Sequence, residues 1–372
     1  MTRSGLSILC IPFLVVAVLL PALAQNQSFT EWPIPTANSL PLHITAVNTS
    51  SFYFTESNKD TVGFLNTAVT TNQFTEWSLP GGGLPHGIVY SSGAPVFCAF
   101  GSNYVGILNP STSQLTEWPV PTPNSGPIHL DVAGIGSFFF TEANGNNIGL
   151  LNTTSAQITE WPIPTASSVP RGIVVGQGTQ VFFVELTTQK IGMLDTSTNT
   201  FTEWTLPLHF SQVEHVRFYQ GLVIFGDLAS SWLGALNPAT NVLESGQAPT
   251  ANAAIPDIFM YSGMLNFTER TANKVGLFNP AHQNIQMQNL TPVVNQVVPT
   301  VTSVQAQTVG LSPVQTTVKA VNTNASGVVT GPFTEWKVPT TGGGPMGINV
   351  VGNTIVFTEY YGNKIATLSP AQ

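Results

Sequence analysis

The chain has 372 residues, of which 42% are hydrophobic and only 8% charged, with a formal net charge of -8; a usual charged share is about 25%. With 18 acidic against 10 basic residues there is no basic patch to neutralise phosphates, which excludes nucleic acid and anionic membranes as partners. Solubility must come from Asn, Thr, Ser and Gln.

Residues 1–24 read as a secretory signal. Arg3 supplies the positive start, Leu6 to Leu20 an apolar core broken by Pro12, and Ala22-Leu23-Ala24 a small-residue cleavage site. No later apolar stretch is long enough to span a bilayer, so the mature chain is expected to be secreted or at the cell surface, with no membrane span. Of the two cysteines, Cys10 lies in the signal. Cys98 is then alone, which rules out an internal disulfide or a cysteine metal site, and its apolar strand Pro95-Val96-Phe97-Cys98 predicts an inert buried thiol. Sequons at Asn26, Asn48, Asn152, Asn266, Asn289 and Asn324 are potential glycan acceptors.

The mature chain opens on Phe29-Thr30-Glu31-Trp32-Pro33-Ile34-Pro35, and the Thr-Glu-Trp unit returns at Trp77, Trp118, Trp161, Trp204 and Trp336. The first four steps are 45, 41, 43 and 43 residues, and the last, 132 residues, is three steps of 44. A period in the low forties with an aromatic strand and turn residues marks a propeller blade. Within each period come a Pro-x-x-Ile element (Pro85-His86-Gly87-Ile88 is one copy), a strand ending in a carboxylate, and an Ile-Gly-x-Leu run. With Thr-Glu-Trp these make four short antiparallel strands, A to D, at the spacing of all-β chains.

There are seven A-B-C sets, starting near His43, His86, His129, Arg171, His215, Asp257 and Met346. The chain stops just after the last C strand, so the N-terminal Thr-Glu-Trp strand is expected to complete blade seven and remove two open edges. The expected architecture is an all-β, seven-bladed propeller of four-stranded blades over 25–372. Residues 281–332 interrupt the rhythm in the C–D connection of blade six. They lack aromatic residues and carry only Lys319 as a charge, which predicts a flexible or loosely β loop, dispensable for the fold.

Strand direction gathers the starts of A and the ends of B around one mouth of the axial channel. The B-end residues are Glu56, Ala99, Glu142, Glu185, Asp227, Glu269 and Glu359. Such a repeated carboxylate is either one hydrogen-bonding device per blade or an acidic ring for a cation or cationic ligand. Where the repeat breaks its own rule, at Ala99, Asp227, His86, Arg171, Asp257 and Tyr360-Tyr361, function is the more natural reading. The expected ligand-binding mouth is therefore Glu56, His86, Glu142, Arg171, Glu185, Asp227, Asp257, Glu269 and Tyr360. Within it His86, Arg171 and Glu359 are the candidates for catalysis, and Asp257, Glu269 and Glu359 those for a metal. His43 and His129 stand one position further along and are read as pointing elsewhere. The Thr-Glu-Trp glutamates are read as solvated and the indoles as packing between blades.

The combination Thr-Glu-Trp-Pro-Ile-Pro-Thr, Pro-His-Gly-Ile, Phe-Thr-Glu and Asn273-Lys274-Val275-Gly276 resembles the streptogramin B lyase (virginiamycin B lyase) family over Phe29 to Gln372, apart from the insertion. The resemblance implies a propeller whose mouth, with Mg2+, opens a cyclic depsipeptide ester by elimination. It further implies a base histidine in the Pro-His element of the last blade, a second histidine one blade earlier, a tyrosine in the first blade and a nearby glutamate. The matching positions here carry Met346, Asp257 and Leu42, with Glu359 near the place of the carboxylate. Two function classes fit. One is a secreted or surface binding module whose partner is a small molecule, a glycan or a surface protein; the other is a Mg2+-dependent carbon–oxygen lyase, or a hydrolase, with a rearranged site. The missing base favours the first.

Overall fold

The computed structural model describes residues 27–278 and 286–369; the signal segment, its cleavage site and Asn26 lie outside them. The described residues form seven antiparallel sheets, each of five strands. In blade one the strands are Pro41–Asn48 (A), Ser51–Glu56 (B), Thr61–Asn66 (C) and Phe74–Ser78 (D), and the other blades repeat that order. The B strands are apolar on both faces, as in Ser137-Phe138-Phe139-Phe140-Thr141-Glu142, where five of six residues are buried. That pattern follows from stacking sheet on sheet, which leaves an inner strand no solvent face.

The Ile-Gly-x-Leu repeat has a steric cause. Phe140 of strand B pairs across to Gly149 of strand C, and a Cβ on Gly149 would lie 2.1 Å from the phenyl ring. The glycine lets the ring lie flat over the neighbouring backbone. The D-strand indoles tie blade to blade, since Trp161 Nε1 donates to Asn199 Oδ1 and Trp204 Nε1 to Asn241 Oδ1, both at 2.8 Å.

The ring closes as the repeat count demands. Strand Gln27–Pro33 pairs antiparallel with Lys364–Ser369, with Phe29 opposite Leu368 and Trp32 opposite Ile365. Asn363 Nδ2 adds bonds to the carbonyls of Ile34 and Thr36. First and last strands thus share one sheet.

The fifth strand of each blade corrects the expected four, and it comes from the insertion. Gln286–Asn289 pairs with strand D of blade five, Pro292–Gln296 with that of blade four, Thr300–Ser303 with blade three and Gln307–Gly310 with blade two. Val314–Thr316 then pairs with blade one, Val321–Ala325 with the N-terminal strand of blade seven, and Val328–Thr330 with blade six. The segment is not a loose loop but a belt, wound once around the propeller against the order of the blades. Its anchors recur every seven residues. Leu290, Val297, Val304, Leu311, Val318 and Ala325 each join a hydrophobic cluster of the ring. Five of their backbone amides donate into the D-strand turns, the first four to carbonyls (Leu290 to Asn241, Val297 to Asn199, Val304 to Ala156, Leu311 to Ser113) and Val318 to the Gln73 side chain. The belt satisfies the D-strand edges that four-stranded blades would leave open.

Candidate functional site

In six of the seven blades the A–B register slips near the start of A. In blade one Pro41 pairs with Glu56 and Ile44 with Phe54, so Leu42 and His43 both stand opposite Thr55. The same slip follows Pro85, Pro127, Pro170, Val213 and Pro345. A bulge of this kind re-aims side chains and sharpens the local twist. Thr55 fixes it: its Oγ1 accepts the His43 amide at 3.2 Å and donates to the His86 carbonyl of the next blade at 2.8 Å. Thr141, Thr268 and Thr358 donate in the same way to the carbonyls of Arg171, Met346 and Leu42. The Thr of Phe-Thr-Glu is therefore a staple between adjacent blades at the axis.

The two bulge positions make two rings. The first holds Leu42, His86, Ile128, Arg171, Glu214, Pro256 and Met346; the second holds His43, Gly87, His129, Gly172, His215, Asp257 and Gly347. Register places Asp257 in the second ring, because Ile258 pairs with Phe267 as Ile348 pairs with Phe357. This corrects the expectation that Asp257 is level with His86, Arg171 and Met346; Pro256 holds that place. In the second ring Gly87 separates His43 from His129, Gly172 separates His129 from His215, and Gly347 stands before His43, for a packing reason. A Cβ on Gly87 would lie 2.9 Å from His129 Cα, one on Gly172 2.8 Å from His215 Cα, and one on Gly347 2.9 Å from His43 Cα. Each glycine strand presses against the backbone of a histidine strand, which lets seven strands close around a narrow axis.

The imidazoles meet there. Ring centroids of His129 and His215 are 4.4 Å apart, those of His43 lie 4.8 Å from both, and His86 stands 5.1 Å from His43 and from His129. Two charged pairs flank them. Asp257 Oδ1 is 3.2 Å from His215 Nδ1 and accepts from Arg217 at 2.9 Å, while the Asp257 carboxylate also takes the amides of Ile258 and Ile348. Glu214 Oε1 lies 3.7 Å from His129 Nε2 and 3.9 Å from Arg171. Burial, with the neighbouring cations adding to it, holds His43, His86 and His215 well below the ordinary imidazole value; His129 is lowered as well, although Glu214 opposes the shift. Burial works against Glu214, yet contact with His129 and the Arg171 charge keep it below the ordinary carboxylate value. The four imidazoles are thus neutral around pH 7. A cavity of about 210 Å3 adjoins the second ring on the side toward which the A strands run, lined also by Thr45, Asp131, Arg217, Phe259 and Asn349.

The sequence pattern of the virginiamycin B lyase family matches residues 17–254. The chain belongs to the virginiamycin B lyase family. Its fold is similar to that of selenomethionine-substituted virginiamycin B lyase from Staphylococcus aureus, with TM-score 0.71 and 21% identity over 92% of this chain and 98% of the other. A streptogramin B lyase structure gives 0.72 and 21% over the same shares. A catalytically inactive S. aureus virginiamycin B lyase variant with quinupristin gives 0.71 and 22%, again over 92% and 98%. No curated protein matches the chain in sequence.

Against this family background the expected site residues separate. His86, Arg171 and Asp257 stand at the axis, joined by His43, His129, His215, Glu214 and Arg217, which the sequence reading left out. Their signal was present: His43, His129 and His215 are spaced by 86 residues, two blades each time. The carboxylates Glu56, Glu142, Glu185, Asp227, Glu269 and Glu359 are fully or almost fully buried, and none lines the axial cavity. Five of them face a Thr-Glu-Trp glutamate of the same blade, in the pairs Glu56–Glu76, Glu142–Glu160, Glu185–Glu203, Glu269–Glu335 and Glu359–Glu31. Those glutamates are not solvated, as had been expected, but 3 to 6% exposed. Burial, then repulsion from the partner, raises Glu269 and Glu359 to about 8. In each pair it is the B-end carboxyl whose protonated form is favoured, by burial and by the charge of its partner. Asp227 instead accepts the amides of Gln212 and Ala229. Tyr360 is half-buried, edge-on to Tyr361 at 5.0 Å.

The Mg2+ implied by the family resemblance does not fit these residues. A hard cation needs several ionised oxygen ligands. Glu269 and Glu359 lie outside the lining of the axial cavity, each against a second buried glutamate, and Asp257 is taken by Arg217, His215 and two amides. Glu214 is the one carboxylate in the first ring, and Arg171 neutralises it.

Proposed function

We propose that this member of the virginiamycin B lyase family is a secreted binding propeller that has set aside the family's elimination chemistry. The observation that carries the reading is Met346, a buried thioether at the position where the resemblance places the base. Elimination requires a group that accepts a proton from carbon, and a thioether does not. Its neighbours in the first ring, Pro256 and Leu42, are apolar and buried too, so this arc offers no substitute. The opposite arc carries His86 and Arg171, both half-buried, on either side of the buried Ile128, with Glu214 3.9 Å from Arg171. A mouth divided in this way suits retention of an amphipathic small molecule or peptide by one apolar and one charged edge. Export follows from the reading of residues 1–24 as a signal.

The test is incubation of the mature protein with quinupristin, with and without Mg2+. An elimination product has the mass of its cyclic parent, so the two are separated chromatographically. No loss of the cyclic form above a protein-free control is expected. Steady turnover, lost in Glu214→Gln or His86→Ala, would instead assign a lyase with a rearranged site.

A further inference from the structure

The three second-ring histidines are arranged for a use that the family resemblance does not supply. His43, His129 and His215 each offer a ring nitrogen, and the three nitrogens lie within 4.8 Å of one another. The Nε2 atoms of all three are buried and have no hydrogen-bond partner in the protein, the Glu214 carboxylate lying 3.7 Å from that of His129. Leaving buried polar nitrogens without a partner costs free energy, and a cluster of them points to a ligand that satisfies them together. The Asp257 carboxylate, 3.2 Å from His215 Nδ1, is the outer partner that a ligating imidazole uses to fix its tautomer and free its other nitrogen. The charged groups around the cluster cancel: Arg217 pairs with Asp257 and Arg171 with Glu214.

We propose that His43, His129 and His215 form an axial trihistidine site for a divalent transition metal of the Zn2+ class, with its fourth coordination position toward the cavity. Neutral imidazoles select Zn2+, Co2+, Ni2+ or Cu2+ over Mg2+ and Ca2+, which take oxygen donors. A tetrahedral ion with metal–nitrogen bonds of about 2.0–2.1 Å needs nitrogens about 3.3 Å apart. From a separation of at most 4.8 Å the nitrogens would close by up to about 1.5 Å through side-chain rotation. Glycine at alternate positions is part of the design, because a side chain there would push the histidine strands out of reach. His86, one ring away, belongs to the first-ring mouth and not to the ligand set.

The test uses the full mature protein without an affinity tag, stripped with a chelator and titrated with Co2+ and then Zn2+. One equivalent per chain is expected, with the visible absorption of tetrahedral Co2+, displaced by Zn2+ and unaffected by excess Mg2+. Substituting His129→Gln and His215→Gln together should abolish the signal, Asp257→Asn should weaken Zn2+ binding by about 10–100-fold, and His209→Gln should leave it intact. Where the double variant does not fold, X-ray absorption at the zinc edge of the unmodified protein decides the matter. A shell of three imidazoles supports the site, whereas a carboxylate-dominated shell, no bound metal, or binding unchanged in a folded double variant overturns it.

Discussion

Lys364 Nζ donates to Glu31 Oε2 at 2.8 Å, joining the last C strand to the first strand of the chain. That contact sits beside Phe29, Trp32 and Ile34, all buried. Closure of the ring therefore rests on packing more than on charge. Trp32→Ala is expected to cost about 3–5 kcal/mol, read as a lowered denaturant midpoint with an unchanged slope. Removing 27–35 altogether should prevent folding to a ring. A truncated chain melting with the parent would show that closure contributes nothing.

The belt makes a second prediction, opposite to that for a loose loop. Replacing 286–331 by a short Gly/Ser link removes seven strand pairings and the buried anchors Leu290 and Val304, and should lower the melting temperature markedly. Leu290→Ala alone is expected to cost about 2 kcal/mol, the low end for a leucine at the periphery. Its amide already lies 2.8 Å from the Asn241 carbonyl, and Asn241 also holds the Trp204 indole, so the side chain seals a junction of two blades and the belt. Equal melting of the shortened and full chains would contradict this.

How much of this could be read from residues alone varies with the kind of signal. Trp32 and its five returns announce the blade, because an indole with a turn after it is a strong periodic mark. Leu290, Val297, Val304 and Leu311 also repeat, but they are single aliphatic residues on a seven-residue step, among strands whose other side chains face solvent. Nothing in such a stretch shows that it pairs with sequence up to three hundred residues away. At the axis, His43, His129 and His215 are hidden by the intervening glycines and by the bulge, which gives inward direction to the residue after Pro-x rather than to x alone. Asp257 was misplaced by one position because blade six has Ile255-Pro256 where other blades have Pro and a variable residue. Glu31 and its equivalents looked solvated because their burial depends on the B-strand carboxyl lying across the same blade.

The staple threonines give a third prediction. Thr141 accepts the His129 amide at 3.3 Å and donates to the Arg171 carbonyl at 2.7 Å. Thr141→Val keeps the shape and leaves both backbone groups unpaired, so it should cost about 1–3 kcal/mol. Because these bonds position His129 and Arg171, Co2+ affinity at the proposed axial site should fall along with stability. Loss of stability with Co2+ affinity unchanged would show that the staple holds blades together without setting the site.

The last prediction is a dependence of stability on pH. Glu269 and Glu359 have pKa values raised from 4.5 to about 8, first by burial and then by the paired carboxylate. The folded chain therefore holds more protons than the unfolded chain between those values, and each group's contribution is complete below pH 4.5 and is lost as pH rises through 8. The slope is at most about 1.4 kcal/mol per pH unit for each carboxyl. The axial histidines act in the other direction. Burial lowers His43, His86 and His215 from 6.5, so their contribution is complete above 6.5 and is lost as pH falls. Stability should consequently be greatest between 4.5 and 6.5, decline toward about pH 8.5, and decline again in acid. Glu359→Gln mimics the protonated carboxyl and should flatten the alkaline limb, making the variant the more stable protein above pH 8. Denaturant midpoints measured across this range for both proteins check the idea, and a midpoint that climbs steadily from pH 6 to 9 would mean that Glu269 and Glu359 are not raised in the folded chain.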